Sequence, residues 1–212
     1  MYTPSHFREE RIEVLTTLMR THPLAVLVTA GDQGLAASHI PLVYDPNPEP
    51  FGTLRGHVAR MNPQWRDCSP NVQALAIFAG PEHYISPSWY PSKAEHGKVV
   101  PTWNYAVVHA YGRLAVKFDH AWLRRNVEEL TEANEQSSAH PWRVEDAPAE
   151  YIDRMLHEIV GVEIVIDRLE GKWKVSQNRG AADRTGVVAG LQTLGTPEAV
   201  EMARLVEDGG AK

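Results

Sequence analysis

Several features that would place a protein in a class at once are scarce in this sequence. Its 212 residues contain one cysteine, Cys68, so an intrachain disulfide is excluded and a reducing compartment is expected. No uncharged run has the length of a membrane span, and the opening MYTPSHFREE lacks the apolar core of a secretory signal. These absences predict a soluble, cytoplasmic protein with no membrane partner.

Positive charge is also scarce. The formal net charge is -6 and the isoelectric point is about 5.9, which gives no general support for nucleic-acid binding. Contact with DNA would therefore need a local basic surface, for which the candidates are Arg124, Arg125, Lys172 and Lys174.

The common catalytic and cofactor motifs are missing. There is no GxGxxG, no Walker loop, no HExxH and no CxxC, so a Rossmann nucleotide site, P-loop chemistry and the usual zinc sites lack support. The ten histidines are scattered, without a helical pair beside a carboxylate, and no metal is predicted. Cys68 has no basic surroundings in sequence and is interpreted as an inert, packed thiol.

Hydrophobic patterning predicts short strands joined mostly by short turns. The predicted strands are 24–30, 35–44, 53–58, 72–79 and 102–118, followed by a hairpin of 162–169 and 172–177 that turns at Glu170-Gly171. Cap signals predict helices from Ser5 to Thr21, from Asp119 to Ser137, from Pro148 to Gly161, and from Thr196-Pro197 to Gly209-Gly210. This order predicts one α+β domain over 1–212: a mostly antiparallel β-barrel with peripheral helices, in which 181–212 form a helical extension.

Candidate binding residues lie in four segments. The stretch 81–112 combines aromatic rings with polar hydrogen-bonding groups, as a flat and partly polar ligand requires, although an aromatic-rich core strand would read similarly. His57 and Arg60 could hold a phosphate, or could be a satisfied histidine and a surface arginine. The segment 172–179 offers Lys174, Ser176 and Gln177, which could equally be solubilising residues. Ser38 and His39 interrupt an apolar strand.

Six motifs in order resemble one family. MYTPSHF, SHIPL, GHVARMNPQW, GPEHYISPSWY, VPTWNYAVVHAYG and KVSQNR are similar to those of the PaiB-like, FMN-binding negative transcriptional regulators, and they span residue 1 to about 180. The resemblance implies an FMN-binding split β-barrel, FMN as cofactor, and a homodimer with flavin sites at the interface. It also implies repression of transcription, with DNA as a partner.

The resemblance further implies roles for individual residues. Arg60 is expected to contact the phosphate, together with His57 and Asn62. Ser38 and His39 are expected to contact the flavin ring or the phosphate. The expected isoalloxazine contacts from the neighbouring subunit are Thr102, Trp103 and Asn104. The residues expected to close the site are Lys174, Ser176 and Gln177. The segment 82–93 is expected to be a rigid wall or lid.

Two functions from different classes remain open at this point. One is a flavin-responsive regulator, and the other is an FMN-dependent oxidoreductase that accepts electrons from a reduced nicotinamide or another small donor. A narrower variant is a haem-handling protein with His83, His96 or His109 as axial ligand.

Overall fold

A computed structural model of the protein describes residues 1–209, which form eight strands and seven helices. The strands are β1 (Arg8–Glu9), β2 (Leu24–Gly31), β3 (Gly34–Pro41), β4 (Val43–Asp45), β5 (Thr53–Ala59), β6 (Ala74–Ile85), β7 (Thr102–Lys117) and β8 (Ile159–Lys174). The helices are α1 (Ile12–Thr21), α2 (Gln64–Asp67), α3 (Ser92–His96), α4 (His120–Glu135), α5 (Ala149–His157), α6 (Ala181–Leu194) and α7 (Pro197–Asp208). Within this part of the chain, no helix has both the length and the apolar character needed to cross a bilayer.

One hydrogen-bonded sheet contains all eight strands. Its order is β3-β2-β6-β7-β8-β5-β4, and β1 pairs separately with β8. The pairings with a defined register are antiparallel, including β5 with β8 from Thr53 opposite Val165 to Ala59 opposite Ile159. The predicted antiparallel sheet with peripheral helices is therefore confirmed.

The chain forms two compact units. The terminal unit contains residues 1–15, 79–108 and the chain from Glu170 onward, and the central unit contains 16–78 and 109–169. In the terminal unit, α6 and α7 pack with the end of β8 around Val175, Leu191 and Met202. In the central unit, α4 and α5 share an apolar cluster that includes Leu123, Ile152 and Leu156.

Two of the predicted side-chain caps, Asp119 and Thr196, are confirmed. Asp119 is the N-cap of α4 and its carboxylate accepts a hydrogen bond from the Trp122 amide at 2.8 Å. Thr196 caps α7 in the same way, through the Ala199 amide at 3.3 Å. Pro148 precedes α5 as its N-cap residue. Of the predicted end of the last helix, Gly209 is the C-cap residue, whereas Gly210 lies outside the described residues.

The predicted C-terminal hairpin is wrong. Residues 159–174 form the single strand β8, and Glu170-Gly171 continue it without a turn. Gly171 lies opposite Glu9 of β1, and a side chain at this position would collide with Leu15 and approach the Glu9 carbonyl oxygen to 2.7 Å. The glycine therefore permits close approach of a neighbouring strand, which is the other common reason for glycine inside a strand.

Three element boundaries also differ from the prediction. Ser5 begins a short 3₁₀ turn and caps no α-helix, because the chain first pairs as β1 and α1 starts only at Ile12. The predicted strand 35–44 is divided into β3 and β4. The first four residues of the predicted wall at 82–93 are the end of β6, so the irregular segment begins at Ser86.

Candidate functional site

In the terminal unit, the start of β7 meets the end of β8. The Lys174 ammonium donates hydrogen bonds to the Thr102 hydroxyl and, at 2.8 Å, to the Trp103 carbonyl oxygen. Lys174 has three N–H donors, so these two contacts leave it the capacity to bind a further acceptor. The Trp103 indole is 53% exposed and meets the ring of Tyr84 edge to face. Three of the predicted site residues therefore come together here.

Asn104 and Ser176 extend this group into the interior. Their side chains are hydrogen-bonded at 2.9 Å, and both residues are buried, with 1% and 3% exposure. The Asn104 Oδ1 atom is buried and has no hydrogen-bond partner among the residues that the structure describes. A buried acceptor without a donor costs free energy unless a ligand or water supplies one, so this atom marks a place for a donor group.

The backbone of Ser176 is in an unusual conformation. Its φ is 65°, in the left-handed region, which is uncommon for a residue other than glycine. Gln177 holds the turn by accepting from the Val175 amide at 2.8 Å and donating to the Trp173 carbonyl at 2.6 Å. Such strain is found preferentially where a side chain must be placed for a function. Here it presents the Ser176 hydroxyl to Asn104.

The same place concentrates positive charge. Burial lowers the pKa of Lys174 below its ordinary value of 10.5, and the charges of Lys172 and Arg179 lower it further, while Tyr105 acts in the opposite direction. Neighbouring cations repel one another, and an anion bound among them would be stabilised. We call these residues the cofactor cluster, after the contacts that the resemblance implies for them: Thr102, Trp103, Asn104, Lys174, Ser176 and Gln177.

A second polar group lies in the central unit. The Asn62 amide donates to the Ser38 hydroxyl at 3.0 Å and accepts from the Gln64 backbone at 3.0 Å. These three residues line a cavity of about 330 Å³ beside β3. Gln64 is 4% exposed; its Nε2 donates to the carbonyls of Leu27 and Ala36, whereas its Oε1 has no partner within residues 1–209.

His39 and His57 do not join this cavity. His39 is exposed and next to Ser38 on β3, so the two side chains point to opposite faces of the sheet. The His57 ring pairs through Nδ1 with the Asn126 Oδ1 atom of α4 at 3.1 Å. Because Asn126 is 2% exposed, this contact ties β5 to α4.

Arg60 is directed at the end of α5. Its guanidinium donates to the backbone carbonyl oxygens of His157 at 2.5 Å and Ile159 at 3.1 Å, and its amide donates to the carbonyl of Glu158 at 2.7 Å. Helix C-termini leave carbonyls without intrahelical partners, and a cation there is favourable. In this structure Arg60 thus acts as a C-terminal cap, and its predicted phosphate contact remains a prediction.

Most of the residues considered for haem and DNA have protein partners. Nδ1 of His83, His96 and His109 contacts, respectively, the Tyr84 carbonyl, the Lys98 amide and the Tyr111 hydroxyl. Across residues 1–209, no group of three or more potential ligands is arranged to hold a metal ion. Arg124 pairs with Glu128 at 2.8 Å, Lys172 donates to the Tyr2 carbonyl at 3.2 Å, and Arg125 is exposed.

Gln64 is the most informative residue that the sequence reasoning passed over. It stands in the motif GHVARMNPQW, two residues after the candidate Asn62, but an amide in an Asn-Pro-Gln turn carries no signal of burial. Asn126 was missed because one polar residue in a helix rich in charged residues gives no sign of burial, and its partner, His57, is 69 residues away.

Comparison with known proteins assigns the family. A model of the family described as "Putative FMN-binding domain" matches residues 1–168. The chain belongs to this FMN-binding family. The remaining residues include the second half of the cofactor cluster, since Lys174, Ser176 and Gln177 follow the matched region.

Curated relatives of this FMN-binding protein extend over its whole length. A protein of Emericella nidulans, "Uncharacterized protein AN0679", is 37% identical and is aligned over 99% of this chain and 98% of its own. "Protease synthase and sporulation protein PAI 2" of Bacillus subtilis is 31% identical over 98% of this chain and 97% of its own.

A solved structure confirms the split-barrel fold of the family. The FAD and heme binding protein of Mycobacterium smegmatis superposes with a TM-score of 0.57, covering 86% of this chain and 80% of its own. The identity is 16%, so the similarity concerns the fold.

The residues present fit FMN, the cofactor of the family. The pyrimidine edge of a flavin alternates carbonyl acceptors with an N–H donor, and its phosphate is anionic. The buried Asn104 amide oxygen without a donor suits the N–H of such an edge, and the Lys174 ammonium suits an anionic or carbonyl oxygen. Bound FMN would supply redox chemistry or a redox-dependent signal.

Proposed function

We propose that this protein is an FMN-binding regulator of the PaiB-like class, and that the cofactor cluster around Lys174 and Asn104 contacts the flavin. The observation that carries the proposal is the convergence of β7 and the turn after β8. Asn104 and Ser176 are 72 residues apart, yet they form a buried pair beside a desolvated ammonium and leave one amide oxygen without a donor. A segment that served packing alone would have no use for that arrangement.

The roles within the cluster follow from its chemistry. Lys174 binds an oxygen of the cofactor through its remaining N–H, and Asn104 pairs with a polar edge. Trp103 offers a half-exposed aromatic face on which a ring can stack. In the central unit, Ser38, Asn62 and Gln64 are the second set of candidate contacts. A homodimer with the flavin at its interface, as the resemblance implies, is part of the proposal.

Flavin titration tests the proposal directly. FMN fluorescence should be quenched on binding, and Lys174→Gln should weaken affinity roughly 10- to 100-fold, because a charge-assisted hydrogen bond contributes about 1.5–3 kcal/mol. Asn104→Leu, which removes the amide and keeps the volume, should also weaken it. Lys98→Gln, at an exposed loop position, is the matched control and should bind as the unaltered protein does. Equal affinity of Lys174→Gln and Lys98→Gln would refute the assignment.

The regulatory part rests on the relative named for protease synthesis and sporulation. In the terminal unit, α6 and α7 are joined by a two-residue connection. The exposed face of α7 is acidic: it carries Glu198, Glu201, Glu207 and Asp208 and one arginine, Arg204. An acidic face repels DNA phosphates. If the output is DNA binding, another surface must carry it.

A gel shift decides whether DNA is contacted. Promoter fragments from the host should be retarded at low salt, and the retardation should weaken steeply as salt increases and counterions compete. The test should be run with the FMN-loaded and FMN-free protein. No shift in either state would remove direct repression and leave regulation through a protein partner.

An FMN-dependent oxidoreductase is the second candidate. It is favoured by the exposed edge-to-face pair of Trp103 and Tyr84 beside the cofactor cluster, which leaves aromatic surface open to a small planar donor. Anaerobic addition of NADH or NADPH should then bleach the flavin absorbance. A flavin that stays oxidised with both donors counts against the enzyme and favours the regulator.

A further inference from the structure

The loop that leads into the cofactor cluster is held by helix α6. Residues 86–101, here called the 86–101 loop, connect β6 to β7 within the terminal unit. Near its start, Trp89 lies directly on α6: a side chain at Gly186 would collide with the Trp89 carbonyl, and one at Gly190 would collide with the indole ring. The two glycines, four residues apart, form a groove that receives Trp89.

This groove is unfavourable for the helix that carries it. Glycine inside a helix is unfavourable relative to alanine, so the two glycines in the 14-residue α6 oppose its helix propensity. A glycine at such a place usually has a packing or functional reason. Here the reason is the close approach of Trp89.

A carboxylate provides a second anchor. Asp183 accepts from the Ser92 amide at 3.1 Å and from the Ser92 hydroxyl at 2.8 Å, and it is 8% exposed. Asp183, Gly186 and Gly190 have the spacing of one helix face. The contacts with Ser92 also fix the start of α3.

The anchored part and the free part of the loop are clearly separated. Tyr90 is 2% exposed and packs in the same core as Val187 and Leu191 of α6. Beyond it, residues 93–98 are all exposed. The loop then enters β7 at Thr102, Trp103 and Asn104. The polar and glycine contacts of the first half of the loop are therefore with α6, while Val99, near its end, packs against the same apolar core.

The C-terminal helices also support the other half of the cluster. Val175, between Lys174 and Ser176, packs in the core formed by α6 and α7. At the end of α7, a side chain on Gly209 would approach Val175 and Gln177. One helix pair thus lies against the loop that leads into the first half of the cluster and against the segment that forms the second half.

We propose that α6 is a positioning element for the cofactor: Asp183, Gly186 and Gly190 hold the 86–101 loop, and the loop sets the position of Thr102, Trp103 and Asn104. Release of Ser92 from Asp183 loosens the loop and lowers flavin affinity. These are positioning residues, since they act through the loop. The inference rests on the proposed FMN site, which it extends to a helix beyond the residues matched by the family model.

Two measurements on the full chain test this proposal. Trypsin cleavage after Lys93 and Lys98, identified by mass, reports loop release without any ligand, and FMN titration reports the cluster. Asp183→Asn weakens the acceptor of two hydrogen bonds and should speed cleavage and weaken FMN binding, each roughly 10-fold. Gly190→Ala, which displaces Trp89, should act in the same direction. Glu198→Gln and Ala189→Leu, at exposed positions of α7 and α6, should change neither.

The outcomes separate this proposal from the proposed function. Faster cleavage with unchanged FMN affinity would overturn the positioning role, and unchanged cleavage in Asp183→Asn would overturn the anchor itself. If the unaltered protein binds no FMN, the proposed function fails and the positioning role fails with it, while cleavage still reports whether α6 holds the loop. If Gly190→Ala does not fold, Asp183→Asn and Ser92→Ala, which remove polar atoms without adding bulk, decide the matter.

Discussion

Replacing Arg60 by alanine distinguishes a structural arginine from a phosphate-binding one. The change removes the two guanidinium bonds to the carbonyls of His157 and Ile159 and keeps the backbone bond to Glu158. Because the side chain is half-buried, we take about 1 kcal/mol for each bond, the typical net value. The cation at a helix C-terminus adds about 0.3–1 kcal/mol. We therefore expect Arg60→Ala to lower the free energy of unfolding by about 2–3 kcal/mol.

Thermal melting followed by circular dichroism, together with FMN titration, measures both effects. For a chain of this size the loss corresponds to a Tm lower by roughly 4–12 °C. Arg60→Lys keeps the charge but not the fork of donors and should lose less. Arg125→Ala, an exposed change on α4, should stay within about 0.5 kcal/mol of the unaltered protein. An Arg60→Ala protein with an unchanged Tm and an FMN affinity lowered 10-fold or more would refute this reasoning. It would indicate that Arg60 binds the FMN phosphate.

Two further predictions concern titrating groups. The pKa of Lys174 is lowered by burial and by the charges of Lys172 and Arg179, so the ammonium deprotonates below pH 10.5. FMN affinity should therefore fall as the pH rises through that lowered pKa. The Lys174→Gln variant should lack this part of the pH dependence. Burial raises the pKa of Cys68 above 9.0, and its thiol also contacts the Trp65 carbonyl, so maleimide labelling at pH 7 should be much slower than for free cysteine and should accelerate on unfolding in urea. Fast labelling of the folded protein would contradict the packed environment.

Local signals in the sequence were sufficient where local physics decides the structure. A carboxylate before an apolar helical pattern caps that helix wherever it lies in the fold, and Asp119 does so for α4. The turn predicted at Glu170-Gly171 was wrong because glycine is favoured both in a turn and where two strands approach closely. Only the partner, Glu9 on a strand more than 160 residues earlier, distinguishes them.

The candidate site was predictable as a set of segments and not as a geometry. VPTWNY and KVSQNR were both singled out, and the structure brings Asn104 to Ser176 and Lys174 to Thr102. Spacing along the chain contains no information about such a pairing. The partners of the Arg60 guanidinium could not be predicted either, because the carbonyls that accept from it lie at the end of α5 and the start of β8, about 100 residues away.

The pairing of β1 with β8 sets the order in which the protein is completed. Arg8 and Glu9 of β1 can pair only after Gly171 and Lys172 of β8 have been synthesised, which takes roughly 10–30 s at ordinary rates of translation. During that interval the central unit has all of its residues, while the terminal unit has only its first two segments. The cofactor cluster, α6 and the seat of Trp89 all depend on the last part of the chain. A ribosome that stops before Glu170 therefore releases a chain that has the whole central unit but lacks Lys174, Ser176 and Gln177, three of the residues that we propose to contact flavin.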